Sequence, residues 1–396
     1  MSVPRTGCRV AILVLALSPM GGRAFGAEPL SLGSFRLTFG GEVSGSWSPE
    51  DRGFFNDTGY ERNPLNLMRI RATVELRAGE HVAALADVRS EDLAAPRAYA
   101  LYVRVRPWTE RGFDLQAGLV PPIFGAYLRR AYAMDNLLIG EPPAYQYLST
   151  LRADALPSTP DELLGQRGGG WRTHYGSAMA APGLPMVSGV RWDAGLQAHW
   201  RSERVEVAAA LTQGTLSQPR IRDDNAGKQL SARVGWRPLT GMVLGVSSAG
   251  GDYASDHSSY YGSPRVPGGC CRQRAWGTDA EYSAGHLLLR AEGIWSEWDV
   301  AAWRGTLHAR ALNAEGRYKV MPGLYLAARA CRLDFGRITG TAGTLPWDAP
   351  VSRVEAGFGL SLRRNLLLKG VFQHNAREAG RTLAHDLVAG QVLWWF

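Results

Sequence analysis

The sequence alternates apolar and polar residues with a period of two along most of its length, and this pattern constrains the fold more than any other feature. In residues 35–47 the apolar side chains include Phe35, Leu37 and Phe39, and the residues between them are mostly polar. Residues 67–77 place Arg69 and Arg71 between apolar neighbours in the same way. Because successive side chains of a strand point to opposite faces, each stretch predicts a strand with one apolar and one polar face.

Sixteen stretches show this pattern, and the connections between them alternate in length. The stretches are 35–47, 67–77, 81–90, 97–106, 113–120, 190–200, 204–213, 228–237, 242–249, 273–283, 287–296, 307–320, 324–335, 351–363, 366–375 and 385–396. The connections that follow even-numbered stretches are short turns, and those that follow odd-numbered stretches are mostly longer. Bacterial outer-membrane barrels have an even strand number, short periplasmic turns and longer outer loops. The sequence therefore predicts an all-β fold, a sixteen-stranded antiparallel transmembrane β-barrel.

The N-terminal segment predicts export. Arg5 and Arg9 precede the apolar run 10–17, and small residues follow around 24–27. This is the pattern of a secretory signal peptide, and the run is too short to span a bilayer as a helix. We predict a signal peptide at 1–27 and a single barrel domain at 28–396, located in the outer membrane.

The charged residues and cysteines exclude two kinds of partner. Without residues 1–27 the chain keeps 41 of its 44 basic residues and all 36 acidic ones, scattered rather than clustered. A nucleic-acid partner is therefore not expected. Cys270 and Cys271 are adjacent and Cys331 stands alone, which is not the spacing of metal ligands, so no metal is expected. The three thiols are either incidental or form one disulfide within a loop.

Aromatic residues recur near the ends of the predicted strands. They are Trp47, Phe113, Trp200, Trp236, Trp295, Trp394 and Phe396. Aromatic girdles of this kind mark the two lipid interfaces of membrane barrels. Phe396 also ends the chain on an alternating segment, which resembles the assembly signal of outer-membrane proteins. Outer-membrane lipid is thus an expected partner.

The connection 121–189 is far longer than its neighbours and is rich in aromatic, apolar, proline and glycine residues. Sixteen strands with a long loop after the fifth resemble the porin superfamily, including its phosphate-selective O and P type. The resemblance implies that this third loop folds into the barrel and constricts the pore. It also implies passive diffusion of small hydrophilic solutes and a homotrimer.

The resemblance, together with the alternation, selects candidate pore residues. On the loop they are Arg129, Arg130, Asp135, Glu141, Arg152 and Asp154, and on the inner wall Arg69, Arg71, Arg104, Arg106, Arg233 and Arg353. Arginine outnumbers acid on that wall, which favours anionic solutes. The alternative is that most of these arginines pair with lumen acids and leave the interior neutral. Phosphate-selective members use lysine-rich ladders, whereas this chain has three lysines.

Two further function classes are alternatives to a porin. An outer-membrane hydrolase would need a nucleophile and a base, but the eight histidines are dispersed and no Gly-x-Ser-x-Gly elbow is present. No phosphate-binding loop or zinc motif is present either, so no catalytic residue and no cofactor are expected. The remaining alternative is a structural or adhesive barrel that the third loop closes.

Overall fold

The computed structural model describes residues 29–58, 63–130, 132–175, 179–190, 192–222, 225, 227–254, 259–260, 271–303 and 305–396. Sixteen long strands lie in these ranges. They are β1 (Phe35–Trp47), β2 (Met68–Ala78), β3 (Val82–Glu91), β4 (Arg97–Val105), β5 (Phe113–Val120), β6 (Asp193–Arg201), β7 (Val205–Thr212) and β8 (Gln229–Trp236). The others are β9 (Met242–Asp252), β10 (Arg272–Ala284), β11 (Leu287–Val300), β12 (Gly305–Met321), β13 (Leu324–Phe335), β14 (Val351–Arg363), β15 (Leu366–Arg377) and β16 (Ala384–Trp395).

The strands form one antiparallel sheet that closes on itself. Each strand pairs with its neighbours in sequence, and β16 pairs with β1 through partners such as Trp394 and Val43. The last residue extends this seam, because Phe396 exchanges two backbone hydrogen bonds with Gly41, at 3.1 and 3.2 Å. Closure satisfies the edge groups that an open sheet would expose. The predicted all-β, sixteen-stranded antiparallel barrel is confirmed.

Most of the predicted strand boundaries agree with the structure within a few residues, and two connections differ from the prediction. Residues 297–306 were expected to form a long connection, but β11 continues to Val300 and β12 begins at Gly305. Trp298, Val300 and Leu307 point inward and are buried. The predicted stretch ended at residue 296, because the inward residues beyond it, Trp298 and Val300, are apolar rather than polar. The connection 336–350 also contains a hairpin, formed by strands Arg337–Gly340 and Gly343–Pro346.

The exterior of the barrel is apolar and the interior is mostly polar. Outward side chains such as Leu196, Leu230, Val246 and Leu312 are exposed. The predicted girdle residues Trp47, Trp200, Trp236, Trp295, Trp394 and Phe396 are exposed as well. An exposed apolar wall of this extent is expected of a surface that contacts lipid.

The helical elements are short. They are a 3₁₀ turn at Leu128–Arg130 and two helices, α1 (Pro143–Gln146) and α2 (Pro160–Leu164). No helix among the described residues is long and apolar enough to cross a membrane. The predicted signal peptide, 1–27, lies outside the described residues.

The largest buried apolar cluster lies inside the barrel. It joins residues of the connection between β5 and β6, here called the third loop (121–192), to inward residues of the wall. The loop contributes Phe124, Tyr145 and Leu151, among others, and the wall contributes residues such as Ile294 and Leu333. The predicted long connection after the fifth strand is therefore packed in the interior, and it positions the site described below.

The exposed apolar wall gives a direct test of lipid contact. Val246 lies in the middle of β9 and is 56% exposed, and Leu239 lies in the short β8–β9 turn and is 54% exposed. We expect Val246→Arg to destabilise the protein folded in lipid vesicles by about 2–4 kcal/mol, because an outward arginine near the bilayer centre must leave water. Urea titration of the vesicle-folded protein measures the free energy of unfolding.

Leu239→Arg is the matched control, since its exposure is similar but it lies in a turn. It should change the unfolding free energy by well under about 1 kcal/mol. Equal effects of the two substitutions would contradict lipid contact at β9.

Candidate functional site: the lumen and its third loop

The third loop is held against the wall by buried cations that bind its main-chain carbonyl groups. On β15, the Lys369 ammonium donates to the carbonyl oxygens of Ala133 at 2.5 Å and Asn136 at 2.6 Å. Its side chain is buried. These charged hydrogen bonds satisfy carbonyl groups of a segment that forms no regular helix or strand.

Two arginines on the neighbouring strands extend this attachment. Arg329 on β13 donates to the carbonyl oxygen of Gly140 at 2.8 Å and to Oδ1 of Asn136 at 2.7 Å. Arg353 on β14 donates to the carbonyl oxygen of Glu141 at 2.6 Å. Both guanidinium groups are buried. Three consecutive strands therefore each supply one cation to the segment 133–141.

Wall carboxylates bind the loop's donor groups in a complementary way. Glu292 on β11 accepts hydrogen bonds from the backbone N–H of Ala126 and the hydroxyl of Tyr145, both at 2.7 Å. Glu42 on β1 accepts from the backbone N–H of Met134 at 3.3 Å. Carboxylates of the wall thus accept hydrogen bonds from the loop's donor groups, and cations of the wall donate to its carbonyl oxygens. Together these bonds fix the position and the register of the loop.

Apolar contacts complete the docking. Leu137, Leu138 and Ile139 pack on inward side chains of the wall, which are Leu288, Ala327, Val371, Leu387 and Ala389. A glycine makes room elsewhere, because a Cβ atom at Gly277 on β10 would lie 3.0 Å from the Phe124 ring of the loop. The inner face from β11 to β16 is therefore covered by the loop.

The loop also crosses the width of the lumen. Arg130 pairs with Glu281 on β10 at 2.7 Å, and Tyr132, two residues later, lies under the Arg71 guanidinium of β2, with 3.6 Å from Cζ to the ring centroid. Strands β2 and β10 are eight strands apart in a closed sheet of sixteen, and therefore lie on opposite sides. Arg129 reaches β7, where it pairs with Glu206 at 3.1 Å.

The inner wall that the loop leaves partly accessible carries more arginine than acid. Glu206 pairs with Arg129, Arg201 and Arg237, Glu75 pairs with Arg77 and Arg104, and Glu281 pairs with Arg130 and Arg290. Seven arginines thus contact these three carboxylates, and Arg290 also pairs with a fourth, Glu315, at 3.1 Å. The first three carboxylates lie near the short-turn ends of β7, β2 and β10, so the excess positive charge lies in that part of the lumen.

Most of the predicted wall residues take part in ion pairs. Arg69 pairs with Glu91 at 2.9 Å, Arg71 with Asp87 at 3.0 Å and Arg104 with Glu75 at 3.4 Å. Arg233 forms a buried pair with Asp279. Arg106 lies just beyond the end of β4 and is exposed. The structure therefore brings Arg69, Arg71 and Arg104 to one side of the lumen and Arg233 to another.

The predicted loop residues divide into two groups. Arg129, Arg130 and Asp135 lie at the part of the loop that crosses the lumen, and Glu141 follows where Arg353 binds its backbone. Arg152 is buried elsewhere in the loop, where it pairs with Asp154 at 2.6 Å and donates to the carbonyl oxygen of Thr173 at 3.0 Å. Its contacts hold the loop's own fold together.

Burial shifts the ionisation of the loop's charged groups. Burial raises the pKa of Asp135, and the nearby cations Arg71, Arg290, Lys369 and Arg130 oppose that shift. The pKa values of Arg129 and Arg130 are lowered, first by burial and then by the neighbouring arginines Arg233 and Arg290, respectively. The three shifts thus follow burial first, and arginines are among the charged neighbours of each group.

Sequence reasoning missed several residues that shape this site. Arg89 and Arg329 point inward on β3 and β13, and the period-two pattern of those strands could have identified both. Lys369 and Tyr132 could not be found this way, because their roles depend on where the third loop docks. Cys331 is free and buried, Cys271 is buried, and Cys270 lies outside the described residues. Within the described ranges, no group of three or more His, Cys, Asp or Glu is placed to hold a metal ion.

Comparison with known proteins identifies the architecture. No protein-family model matches the sequence, and no curated protein sequence matches it significantly. Among solved structures, the trimer form of OmpT from Vibrio cholerae matches with a TM-score of 0.57 and 12% identity, over 92% of this chain and 100% of that one. OmpF from Salmonella typhi, solved with daunomycin, gives 0.57 and 12% over 93% and 100%.

An anion-selective porin from Comamonas acidovorans gives a TM-score of 0.55 and 10% identity, over 91% of this chain and 100% of that one. At these identities the likeness shows the fold alone. The chain has the sixteen-stranded barrel found in outer-membrane porins.

The cationic attachment of the loop can be tested by proteolysis. Lys369→Met removes hydrogen bonds to carbonyls of residues 133, 136 and 138, each of which is worth about 1.5–3 kcal/mol when the donor is charged. We expect trypsin cleavage after Arg129 and Arg130 of the detergent-folded variant to be faster by about tenfold or more, because the loop leaves the barrel more often.

Lys319→Met serves as the control, since Lys319 is an exposed lysine near the end of β12. Its cleavage rate should equal that of the unmodified protein. An unchanged rate in Lys369→Met would show that the loop does not depend on this cation.

Proposed function

We propose that this protein is an outer-membrane diffusion channel for small hydrophilic solutes with a preference for anions. The observation that carries the proposal is that Glu75, Glu206 and Glu281 on the inner wall each pair with two or three arginines. Such an excess of fixed positive charge has no role in a sealed apolar core, but it attracts anions in a water-filled passage with low-dielectric walls. The porin-type barrel and the apolar exterior are consistent with this role.

The passage that we propose lies on the side of β2 to β7. There the wall presents Glu75, Arg104 and Glu206, which keep side-chain exposures of 23%, 19% and 12%. Across from them the loop presents Arg129 and Tyr132. On the other side, from β11 to β16, the loop is packed on apolar residues of the wall, and Arg290 at the start of β11 keeps a side-chain exposure of 18%.

Neutralisation of the wall by ion pairs was the alternative to anion preference. Pairing is extensive, but pairs such as Arg201–Glu206 and Arg237–Glu206 draw on one acid, so pairing leaves a positive remainder. Phosphate specificity has less support. Of the three lysines, Lys369 is buried under the loop, and Lys228 and Lys319 lie on separate parts of the barrel.

A structural or adhesive barrel is the second candidate function. It is favoured by one observation, which is that the third loop crosses from β10 to β2 and fills much of the interior. Swelling of protein-containing vesicles in sugars of graded size separates the two candidates. A diffusion channel admits the small sugars, and a sealed barrel admits none.

Export through the signal peptide at 1–27, residence in the outer membrane and assembly as a homotrimer belong to the same proposal. The trimer is suggested by the trimer form of Vibrio cholerae OmpT, a structure with the same fold. Exposed aromatic residues near both ends of the strands, such as Trp236 and Trp295, are consistent with two lipid interfaces.

Charge preference can be measured as the reversal potential of planar bilayers in a salt gradient. We expect the unmodified protein to favour anions, and Arg237→Glu to reduce the anion-to-cation permeability ratio by roughly twofold or more, because it removes one of three cations around Glu206. Arg222→Glu, an exposed residue in the loop between β7 and β8, should leave the ratio unchanged.

Cation preference of the unmodified protein would refute the anionic part of the proposal. An unmodified protein that inserts but never conducts would refute a passage that is open at rest and would favour the sealed barrel.

A further inference from the structure

The contact between the third loop and β2–β3 has an unusual charge arrangement. In the register of these strands, Arg71 lies directly opposite Arg89, and both side chains point into the lumen. Like charges at directly opposed positions destabilise a sheet. The neighbouring inward cross-strand pairs do not oppose like charges. Arg69 lies opposite Glu91 and pairs with it, and Thr73 lies opposite Asp87.

Tyr132 of the third loop covers this pair of arginines. The Arg71 Cζ lies 3.6 Å from the centroid of the Tyr132 ring, and the Arg89 Cζ lies 5.0 Å from it. The other face of Arg89 meets Tyr99 on β4, with 3.1 Å from Cζ to the ring centroid. The ring faces stabilise the two cations where carboxylates are too few.

Arg89, which Tyr132 covers, lacks some of its hydrogen-bond partners. Within the described part of the chain, Nε and Nη2 of Arg89 and Oδ1 of Asp87 are buried and make no hydrogen bond. Arg89 Nε lies 3.6 Å from Asp87 Oδ1, which is an ion pair without a hydrogen bond. Buried polar atoms without partners cost free energy, so this arrangement favours any rearrangement that gives the guanidinium a partner.

Tyr132 covers Arg71 and Arg89 at a point where the loop backbone is held on both sides. The loop is attached on both sides of it, by the Arg130–Glu281 pair and by the Lys369 contact to the Ala133 carbonyl. The backbone is therefore fixed, and the phenol ring is the part that can turn. The partly exposed Glu75–Arg104 pair lies nearer the short-turn end of the barrel, and the partly exposed Arg69–Glu91 pair lies nearer the long-loop end.

We propose that Tyr132 is the gate of this passage, and that the opposed Arg71 and Arg89 are the site which an oxyanion group of a solute, such as a carboxylate, occupies when the ring turns away. This inference rests on the proposed channel function and adds its gate and its binding residues. The anion supplies the hydrogen-bond acceptor that Arg89 lacks, and it offsets the repulsion between the two guanidinium groups. No change in the loop's backbone is required.

The test is single-channel recording of the full-length mature protein in planar bilayers, with sodium chloride and then sodium acetate as the probe salts. Tyr132→Ala is expected to raise the conductance by roughly twofold or more and to raise the anion-to-cation permeability ratio, because removal of the ring widens the passage and uncovers two cations. Tyr132→Phe keeps the ring, so it should conduct like the unmodified protein.

Met134→Ala is the matched control. Met134 lies two residues away on the same part of the loop and is exposed, but its side chain has no contact with the arginine pair among those described. It should leave the conductance unchanged. Folding of each variant is checked by the heat-dependent shift of its electrophoretic mobility, which reports the intact barrel.

A second variant tests the binding residue. Combining Tyr132→Ala with Arg89→Met should keep the wide conductance of the single variant but lower its permeability ratio for acetate over sodium. Equal ratios in the single and double variants would overturn the anion site. Equal conductance of Tyr132→Ala and Met134→Ala, or a widened Tyr132→Phe, would overturn the gate.

The outcomes also separate this inference from the function on which it rests. Current through the unmodified protein that Tyr132→Ala leaves unchanged refutes the gate and retains the channel. Absence of current in every variant refutes both. A silent unmodified protein that conducts once Tyr132 is removed supports the gate and shows that the ring closes the passage at rest.

Discussion

The closed ladder of backbone hydrogen bonds is the constraint on which the rest of the structure depends. A sheet surrounded by apolar solvent cannot leave an edge unpaired, because no water is present to satisfy the exposed N–H and C=O groups. The pairing of β16 with β1, extended by Phe396 and Gly41, removes that edge. Once the sheet is closed, the side-chain alternation has only one solution, with apolar residues outside and polar residues inside.

The closed sheet encloses a long irregular loop, which must be held in place by the inner wall. The loop has many backbone groups that no regular secondary structure satisfies. The wall supplies partners of the correct sign, with Lys369, Arg329 and Arg353 on carbonyl oxygens and Glu292 on an amide. Buried cations thus position the loop, whereas Arg104 remains partly accessible, with a side-chain exposure of 19%.

The same division explains why the lumen is asymmetric. From β11 to β16 the inner wall contains apolar residues such as Ile294, Leu333 and Val371, which require the loop as a cover. From β2 to β7 the inner wall is mainly charged and polar, and the loop touches it at a few points, including Tyr132 on Arg71 and Arg129 on Glu206. The passage that we propose on one side and the packed interior on the other correspond to this difference in composition.

The sequence alone determined the strand number, the strand order and the face of most wall residues, because a period of two is a local property of the chain. It therefore placed Arg69, Arg71 and Arg104 on the polar face of their strands, where each forms an ion pair. It ended the eleventh stretch at residue 296, before the buried apolar residues Trp298 and Val300 of β11, and the ring of Trp298 packs on Trp347 of a distant connection. Only the tertiary structure decided which arginines share an acid, and that Tyr132 stacks on Arg71. These contacts join residues far apart in sequence, so no local pattern encodes them.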